Sequence, residues 1–284
     1  MPRVRQIPVH QQDSSAVGGI YLKYLSEILE SDMHLLDEHR DDYYVVTIII
    51  QGGGILHCDM HDIHLKADGI LIIRPYQVHE IREISQSAAG YFLSIASFLV
   101  PDHCREIFEG LTVPRQYIHP SAEQQKNLRD TIELLYRVFS TENLYKPSVI
   151  KGVYDALIYQ VAALYSHTEE SFSGRKSQVY QITSVFRKLL SETVYLQSPS
   201  FYAEKLNITT SHLNDCVKQV TGFTVTYWIQ DAMILEAKRH LYYTNNTVKE
   251  TAYSLGFDDH TYFSRLFRKI TGETPLSFRK QFRG

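Results

Sequence analysis

The sequence predicts an α+β protein of two domains, a small N-terminal β-barrel followed by helices and a C-terminal domain built only from helices. Between about residues 42 and 100, short β-branched or aromatic runs alternate with turn residues, a spacing typical of a sandwich or barrel. After Pro101 apolar residues recur at helical spacing, and from Val179 onward the chain reads as helical. The polar stretch 168–177 lacks any period. We therefore expect domains over residues 1–167 and 178–284, joined by a linker at residues 168–177.

Composition restricts the class of protein. The chain has 284 residues, of which 44% are hydrophobic, so it is long enough for two cores and too apolar to be disordered. Apolar runs stay well short of the ~20 residues that span a bilayer, and the N-terminus lacks a signal-peptide pattern. The scattered cysteines Cys58, Cys104 and Cys216 argue against a disulfide framework. We expect a cytoplasmic protein with no membrane partner.

Charge is distributed unevenly along the chain. Residues 1–176 carry 16 Lys and Arg against 23 Asp and Glu, whereas residues 177–284 carry 13 against 9. An acidic front joined to a basic back indicates that only the C-terminal domain meets a polyanion.

The last hundred residues contain an internal repeat. Residues 203–208 align with residues 252–257 at an offset of 49, and residues 217–222 align with residues 267–272 at an offset of 50. Each copy reads as a helix, a tight turn and a second helix that ends at a Thr-Gly pair. This is the helix-turn-helix arrangement, whose second helix enters the major groove of DNA. A plain helical bundle explains the apolar spacing but not the repeated turns.

Local signals mark the ends of these helices. The turns are predicted at Asn207 and Gly256, residues that tolerate the left-handed backbone conformation. A long helix, residues 227–242, joins the two copies. The predicted N-caps are Ser198 before Pro199, Thr209 or Thr210, Thr247 with Glu250 as a capping box, and Asp258 or Asp259.

Residues 178–284 resemble the DNA-binding domain of the AraC/XylS family, most closely in residues 256–269 and 271–279, which are similar to the family's C-terminal signature. Residues 1–176 more loosely resemble the family's cupin-like effector domain and dimerisation helices. Met233 stands where relatives usually have Arg, and Val225 where they often have Pro.

This resemblance implies a sequence-specific transcription regulator rather than an enzyme, associated with the bacterial nucleoid. Its implied partners are duplex promoter or operator DNA, RNA polymerase, a small effector such as a sugar or related metabolite, and a second copy of the chain bound through helices at 121–167.

Side chains early in each second helix are the candidates for reading DNA. Arg265 is the expected base contact because its guanidinium fork matches guanine O6 and N7. Asn214 matches adenine, whereas the Asp215 carboxylate accepts from cytosine but repels phosphates. The remaining candidates are Ser211, His212, His260 and Thr261 at base edges, and Lys218, Arg268 and Lys269 at phosphates.

The N-terminal barrel is expected to enclose one small ligand. The candidate effector-binding residues are His57, Arg74, Tyr76, His79 and Tyr91. The grouping His57, His61, His64 and His79 suggests a metal site, but it lacks the two-His-and-carboxylate spacing of enzymatic cupins, so we expect no metal and no cofactor.

Two other functions are compatible with the sequence. One is a metal-dependent cupin enzyme with an accessory DNA-binding domain, in which His57 and His79 hold iron or zinc. The other is a protein-interaction module whose helix-turn-helix pair no longer binds DNA. The chain contains none of the nucleophile-elbow, phosphate-loop or zinc-protease motifs that we sought.

Overall fold

A computed structural model describes residues 7–13, 15–31, 37–142, 144–166, 178–192 and 197–283. The chain divides into two compact units, Met1–Glu170 and Ser171–Gly284. The predicted linker, residues 168–177, lies outside the described residues. No helix in the described part of the chain has the length and hydropathy needed to cross a bilayer.

The N-terminal unit combines ten strands with four helices among its described residues. Its elements are β1 (Val9–His10), β2 (Ile20–Tyr24), α1 (Leu25–Ser31), β3 (Arg40–Asp41), β4 (Tyr44–Gln51), β5 (Gly53–Cys58), β6 (His61–Lys66), β7 (Ile70–Ile73), β8 (His79–Ile84), β9 (Ala89–Ile95), α2 (Asp102–Gly110), β10 (Tyr117–Ile118), α3 (Ala122–Phe139) and α4 (Lys146–Ser166).

The strands form separate sheets rather than the closed barrel that the sequence predicts. The described strands pair as a five-stranded sheet of order β10-β7-β4-β9-β2, a three-stranded sheet of order β6-β5-β8, and the parallel pair β1-β3. The two larger sheets share one core, in which Val45 and Leu71 of the first pack with Leu56 and Ile63 of the second. The sheet-rich expectation is confirmed, and closure into a barrel is not.

The glycine run between β4 and β5 explains why the ladder is interrupted. The β4–β9 register shifts between Ile49 and Gln51, and Gly52 follows with a φ of 72°, so the chain leaves one sheet and enters the other. A Cβ on Gly53 would lie 2.1 Å from the carbonyl oxygen of Leu65, and one on Gly54 equally close to that of Glu83. Only glycine permits this approach of three backbones.

Helices α3 and α4 pack together in the N-terminal unit. Ser121 and Gln124 form a reciprocal capping box at the start of α3. Buried tyrosines attach α4 to the strands and loops, since Tyr154 donates to the Leu99 carbonyl (3.2 Å) and Tyr165 to that of Gln116 (2.8 Å). The helices expected near 121–167 are therefore present.

The C-terminal unit is helical throughout its described residues. Its elements are α5 (Gln178–Glu192), α6 (Pro199–Lys205), α7 (Thr210–Thr221), α8 (Val225–Tyr243), α9 (Val248–Ser254), α10 (His260–Thr271) and α11 (Pro275–Arg283).

The predicted helix ends of this unit are confirmed. The N-caps are Ser198, Thr209, Thr247 with its capping partner Glu250, and Asp259. The turn residues Asn207 and Gly256 have φ values of 53° and 83°. Gly222 and Gly272 end α7 and α10 in the left-handed conformation.

Helix α8 is the centre of the C-terminal core. It buries Trp228, Ile234 and Leu241, and Met233 also lies inside. The Trp228 indole donates to the Thr221 hydroxyl at the end of α7 (2.9 Å). This bond satisfies the polar atom of a buried aromatic ring, so α8 is oriented against the first helix-turn-helix copy.

Candidate nucleic-acid interface and ligand cavity

The two helix-turn-helix copies, α6–α7 and α9–α10, close their turns in the same way. The Ala203 carbonyl accepts from the Ile208 amide (3.0 Å), and the Ala252 carbonyl accepts from the Phe257 amide (3.0 Å). Both alanines are buried, as a close crossing of two short helices requires. The repeat seen in the sequence is therefore a repeat of backbone geometry.

Burial divides α7 and α10 into matching faces. Leu213 and Val217 point inward on α7, and Phe263 and Phe267 do so at the aligned positions of α10. The opposite faces are open to solvent. Among the predicted DNA-reading residues, the exposed ones are Ser211, His212, Asp215, Lys218, His260, Thr261, Arg265, Arg268 and Lys269.

The exposed faces of these two helices differ in charge. On α10, Arg265, Arg268 and Lys269 occupy three exposed positions. The aligned positions of α7 hold Asp215, Lys218 and Gln219, which together carry no net charge. No acidic residue occurs within α10 to offset its cations. A polyanion is therefore attracted more strongly to α10 than to α7.

Asn214 is the candidate that the structure places differently. Its side chain is half-buried, and its Oδ1 accepts a hydrogen bond from the Val225 amide (3.1 Å) at the start of α8. That amide is one of those left without a partner inside the helix. This bond occupies one of the two lone pairs of the oxygen and so competes with the bidentate adenine pairing expected from the sequence, which stays a prediction.

Sequence analysis missed exposed residues on the same faces. Tyr262, 52% exposed, lies on α10 at the position aligned with His212. Gln219 is exposed at the position aligned with Lys269. The alignment of the two repeats could have predicted these residues, because a candidate at one position of the first copy makes the aligned position of the second copy a candidate too, and the reverse.

The family-like C-terminal segment has a structural role. From α11, the Arg279 guanidinium donates to the carbonyls of Leu241, near the end of α8, and Asn246, before α9. These bonds satisfy groups around the junction of α8 and the second copy. Met233 and Val225, where the sequence departs from the family pattern, are both buried.

The N-terminal unit encloses a cavity of about 90 Å³ between its sheets. Its wall is overwhelmingly apolar and includes Val45, Leu71 and Phe92. Its polar lining includes His39, Asp41 and His79, which lie close to one another. The other polar residues of the lining are Tyr43, Thr47 and Glu83.

Of the five predicted effector-binding residues, His79 alone lines this cavity. His57 bonds Asp62 (2.6 Å), and Arg74 donates to the Glu109 carbonyl (2.9 Å). The Tyr76 amide bonds the Asp41 carbonyl (2.7 Å), and the Tyr91 ring packs on Tyr24 and Tyr136. The prediction placed these four in a pocket because sequence shows polarity but not the face on which a strand residue lies.

His57 and His79 cannot hold one metal ion as the enzymatic alternative requires. In the β5–β8 ladder His79 pairs with Cys58, while His57 pairs with Glu80. Because neighbouring strand residues point to opposite faces, the two imidazoles are directed apart. His61 and His64 lie exposed on β6.

Sequence analysis missed His39 and Asp41, which are each 2% exposed. Burial and the neighbouring His79 lower the pKa of His39 to about 4. Burial and the Asp41 carboxylate raise the pKa of Tyr43, which hydrogen-bonds that carboxylate. At neutral pH both the His39 imidazole and the Tyr43 phenol are therefore uncharged.

Comparison with known proteins identifies both units. A helix-turn-helix domain family model matches residues 202–281, and the AraC-like ligand binding domain model matches residues 27–146. The transcriptional activator RhaS of Yersinia pestis (strain Pestoides F) is 23% identical over 252 residues, covering 86% of this chain and 89% of its own length. RhaR of Mannheimia succiniciproducens is 24% identical over 254 residues, covering 86% and 87%.

Among solved structures, the C-terminal domain of the response regulator yesN from Fusobacterium nucleatum is 25% identical, with a TM-score of 0.33. It covers 35% of this chain and 98% of its own.

Two family models that together match both units define a transcription regulator with a DNA-binding helix-turn-helix domain and an N-terminal ligand-binding domain. The chain belongs to the AraC family.

Proposed function

We propose that the protein recognises a specific duplex DNA sequence chiefly through α10, with α7 making a weaker second contact. The charge difference between the aligned exposed positions of α10 and α7 carries this proposal. Arg265 reads guanine through its two-pronged guanidinium group, while Arg268 and Lys269 bind phosphates and set the register. On α7, Ser211, His212 and Lys218 supply shorter or less selective contacts.

Selection of bound duplexes from a random library by the full-length protein tests this function. We expect enriched sites with two short elements about 10 base pairs apart, one showing much the stronger base preference. Affinity should fall steeply with salt, because phosphate contacts release counterions. No enrichment, together with salt-independent binding to another protein, would instead support the interaction module.

The proposed effector is a small, mostly apolar molecule with one polar group. The wall favours such a ligand over a free sugar, because most of it, including Val45, Leu71 and Phe92, offers no hydrogen-bond partner to a sugar's many hydroxyls. The volume of about 90 Å³ is smaller than that of an engineered cavity of about 150 Å³ that accepts benzene, so it suits a short chain or a ligand smaller than benzene.

Thermal unfolding with a panel of small molecules tests the class of effector. Short-chain or ring compounds with one polar group should raise the midpoint of the N-terminal unit, because a ligand that binds only the folded state stabilises it. A shift produced by sugars alone would overturn the apolar class.

We also propose that the protein forms a homodimer through α3 and α4. These two helices belong to the proposed N-terminal domain, residues 1–167. Support comes from partly exposed apolar side chains on these helices, Leu134 on α3 and Val149 and Tyr159 on α4. A cytoplasmic, nucleoid-associated location and contact with RNA polymerase follow from the role in transcription.

A further inference from the structure

A cluster of three histidines and one carboxylate lies in the N-terminal unit, formed by His10, His39, Asp41 and His79. We call it the imidazole–carboxylate cluster. Backbone pairing fixes its members, since His10 is opposite Asp41 in the β1–β3 ladder and His39 forms an isolated bridge with His79. Both hydrogen bonds of that bridge are 3.0 Å long. The side chains therefore converge from three segments distant in sequence.

Hydrogen bonds to backbone carbonyls determine which ring nitrogens face the carboxylate. The Nδ1 atom of His39 lies 2.6 Å from the Asp37 carbonyl oxygen, and that of His79 lies 3.0 Å from the Gln77 carbonyl oxygen. Because a carbonyl oxygen only accepts, each Nδ1 must carry the proton. Nε2 is therefore the nitrogen of each ring that faces Asp41.

Those two Nε2 atoms both lie near the Asp41 carboxyl group, which also forms a hydrogen bond with Tyr43. His39 Nε2 lies 3.6 Å from Asp41 Oδ1, and His79 Nε2 lies 3.3 Å from Asp41 Oδ2. Asp41 Oδ1 is buried and accepts no hydrogen bond from any described residue. A bound cation would give this buried oxygen the partner that it lacks among the described residues.

The nitrogen and oxygen atoms of this cluster are of the kinds that bind a transition-metal ion. Ligand atoms 2.0–2.2 Å from a tetrahedral zinc ion lie roughly 3.3–3.6 Å from one another. One ligand atom each from His10, His39 and Asp41 also falls within 4.8 Å of the others. A histidine that binds a metal through one ring nitrogen usually donates its other N–H to a backbone carbonyl, a carboxylate or water, which fixes the orientation of the ring.

We propose that the imidazole–carboxylate cluster binds one zinc-class divalent ion. Its protein ligands are His39, Asp41 and one further histidine, either His10 or His79. Nitrogen and carboxylate donors suit zinc, whereas calcium and magnesium prefer oxygen alone. His39, Asp41 and His79 also line the cavity. This site differs from the His57, His61, His64 and His79 grouping in the sequence.

Metal titration of the full-length, tag-free protein without DNA tests the site. After treatment with a chelator, we expect the wild-type chain to bind one equivalent of Zn²⁺. Co²⁺ in its place should give the visible absorption bands of tetrahedral nitrogen and oxygen ligation. Because the cobalt spectrum requires no variant, wild-type protein that binds neither ion overturns the proposal.

Variants then locate the bound ion. Asp41→Asn keeps the shape of the side chain but removes a charged ligand, so zinc affinity should fall at least about tenfold. The matched control is His57→Gln, which alters another histidine–carboxylate pair, exposed on the β5–β6 hairpin. Equal loss in both variants, or full affinity in Asp41→Asn, overturns the assignment. A thiolate charge-transfer band in the cobalt spectrum would do so too, by placing the ion at a cysteine, such as Cys216, which lies 3.8 Å from His212.

Discussion

Arg265 is the residue on which recognition by α10 depends in the proposed mode of binding. Arg265→Ala should cost about 1–3 kcal/mol of binding free energy and relax preference at one base pair, because a bidentate guanine contact is lost. Binding to the selected site and to each single-base variant of it measures both effects.

The aligned residue of the first copy provides the control for that substitution. Asp215→Ala should leave sequence preference unchanged and, by removing a negative charge from an exposed face, should not weaken binding. Arg268→Ala should weaken binding to all sequences alike and lower the salt slope by about 1. If the base preference of Arg265→Ala were the same as that of the wild type, Arg265 would not be the guanine contact.

Asn214, a predicted DNA-reading residue, also has a structural contact with the start of α8. Asn214→Ala leaves the Val225 amide without its acceptor, so the unfolding free energy should drop by about 1 kcal/mol. Urea denaturation measures this, with Ser211→Ala on the same helix as the exposed control. If stability were retained while adenine preference disappeared, the sequence-based role of Asn214 would be restored.

Residue-level prediction succeeded where exposure followed from helical periodicity and failed where a partner lay elsewhere in the chain. The positions on α10 needed only the period of one helix. The bond from Asn214 to Val225 depends on how α7 meets α8, and the cluster of His39, Asp41 and His79 depends on strand pairing. Neither contact leaves a local pattern in the sequence.

At the scale of single elements, the N-cap of α10 makes stability depend on pH. The Asp259 carboxylate accepts from the Thr261 amide (2.7 Å), and this bond lowers its pKa below the ordinary 3.8. A lowered folded-state pKa means that the cap stabilises fully above 3.8 and that this contribution is lost as pH falls through the folded value.

Asp259→Asn isolates this contribution, because asparagine still caps but does not titrate. The difference in unfolding midpoint between wild type and variant should be constant near neutral pH and shift against the wild type in acid. Thr209→Asn, at the aligned N-cap of α7, is the control with no carboxylate to titrate. A wild-type-minus-variant difference that stayed constant into acid would contradict the cap's titration.

Element boundaries in the C-terminal unit could be predicted because caps and turns are local chemistry. Thr209, Thr247 and Gly256 act within three or four residues of themselves. Sheet closure could not be predicted, because it depends on register between distant strands and on the backbone contacts at Gly53 and Gly54.

The whole molecule is expected to act as a dimer. Leu134→Glu places a charge on the exposed part of α3, so sedimentation should show dissociation to monomers. DNA affinity should fall as well, because linked half-sites raise the effective concentration of each reader. Met60→Glu, which alters an exposed apolar residue in the β5–β6 turn, is the control. If Leu134→Glu and Met60→Glu had the same sedimentation mass and the same DNA affinity, α3 would not be part of the dimer interface.

The length of helix α8 restricts which insertions and deletions the protein can tolerate. It spans Val225–Tyr243, 19 residues, and both helix-turn-helix copies pack against its ends. Inserting one residue in its middle would turn everything downstream by about 100° and move it about 1.5 Å along the axis. Point substitutions on its exposed side leave that angle unchanged. Over evolutionary time, the length of this helix should therefore be preserved far more strictly than its composition, and insertions should accumulate in other segments.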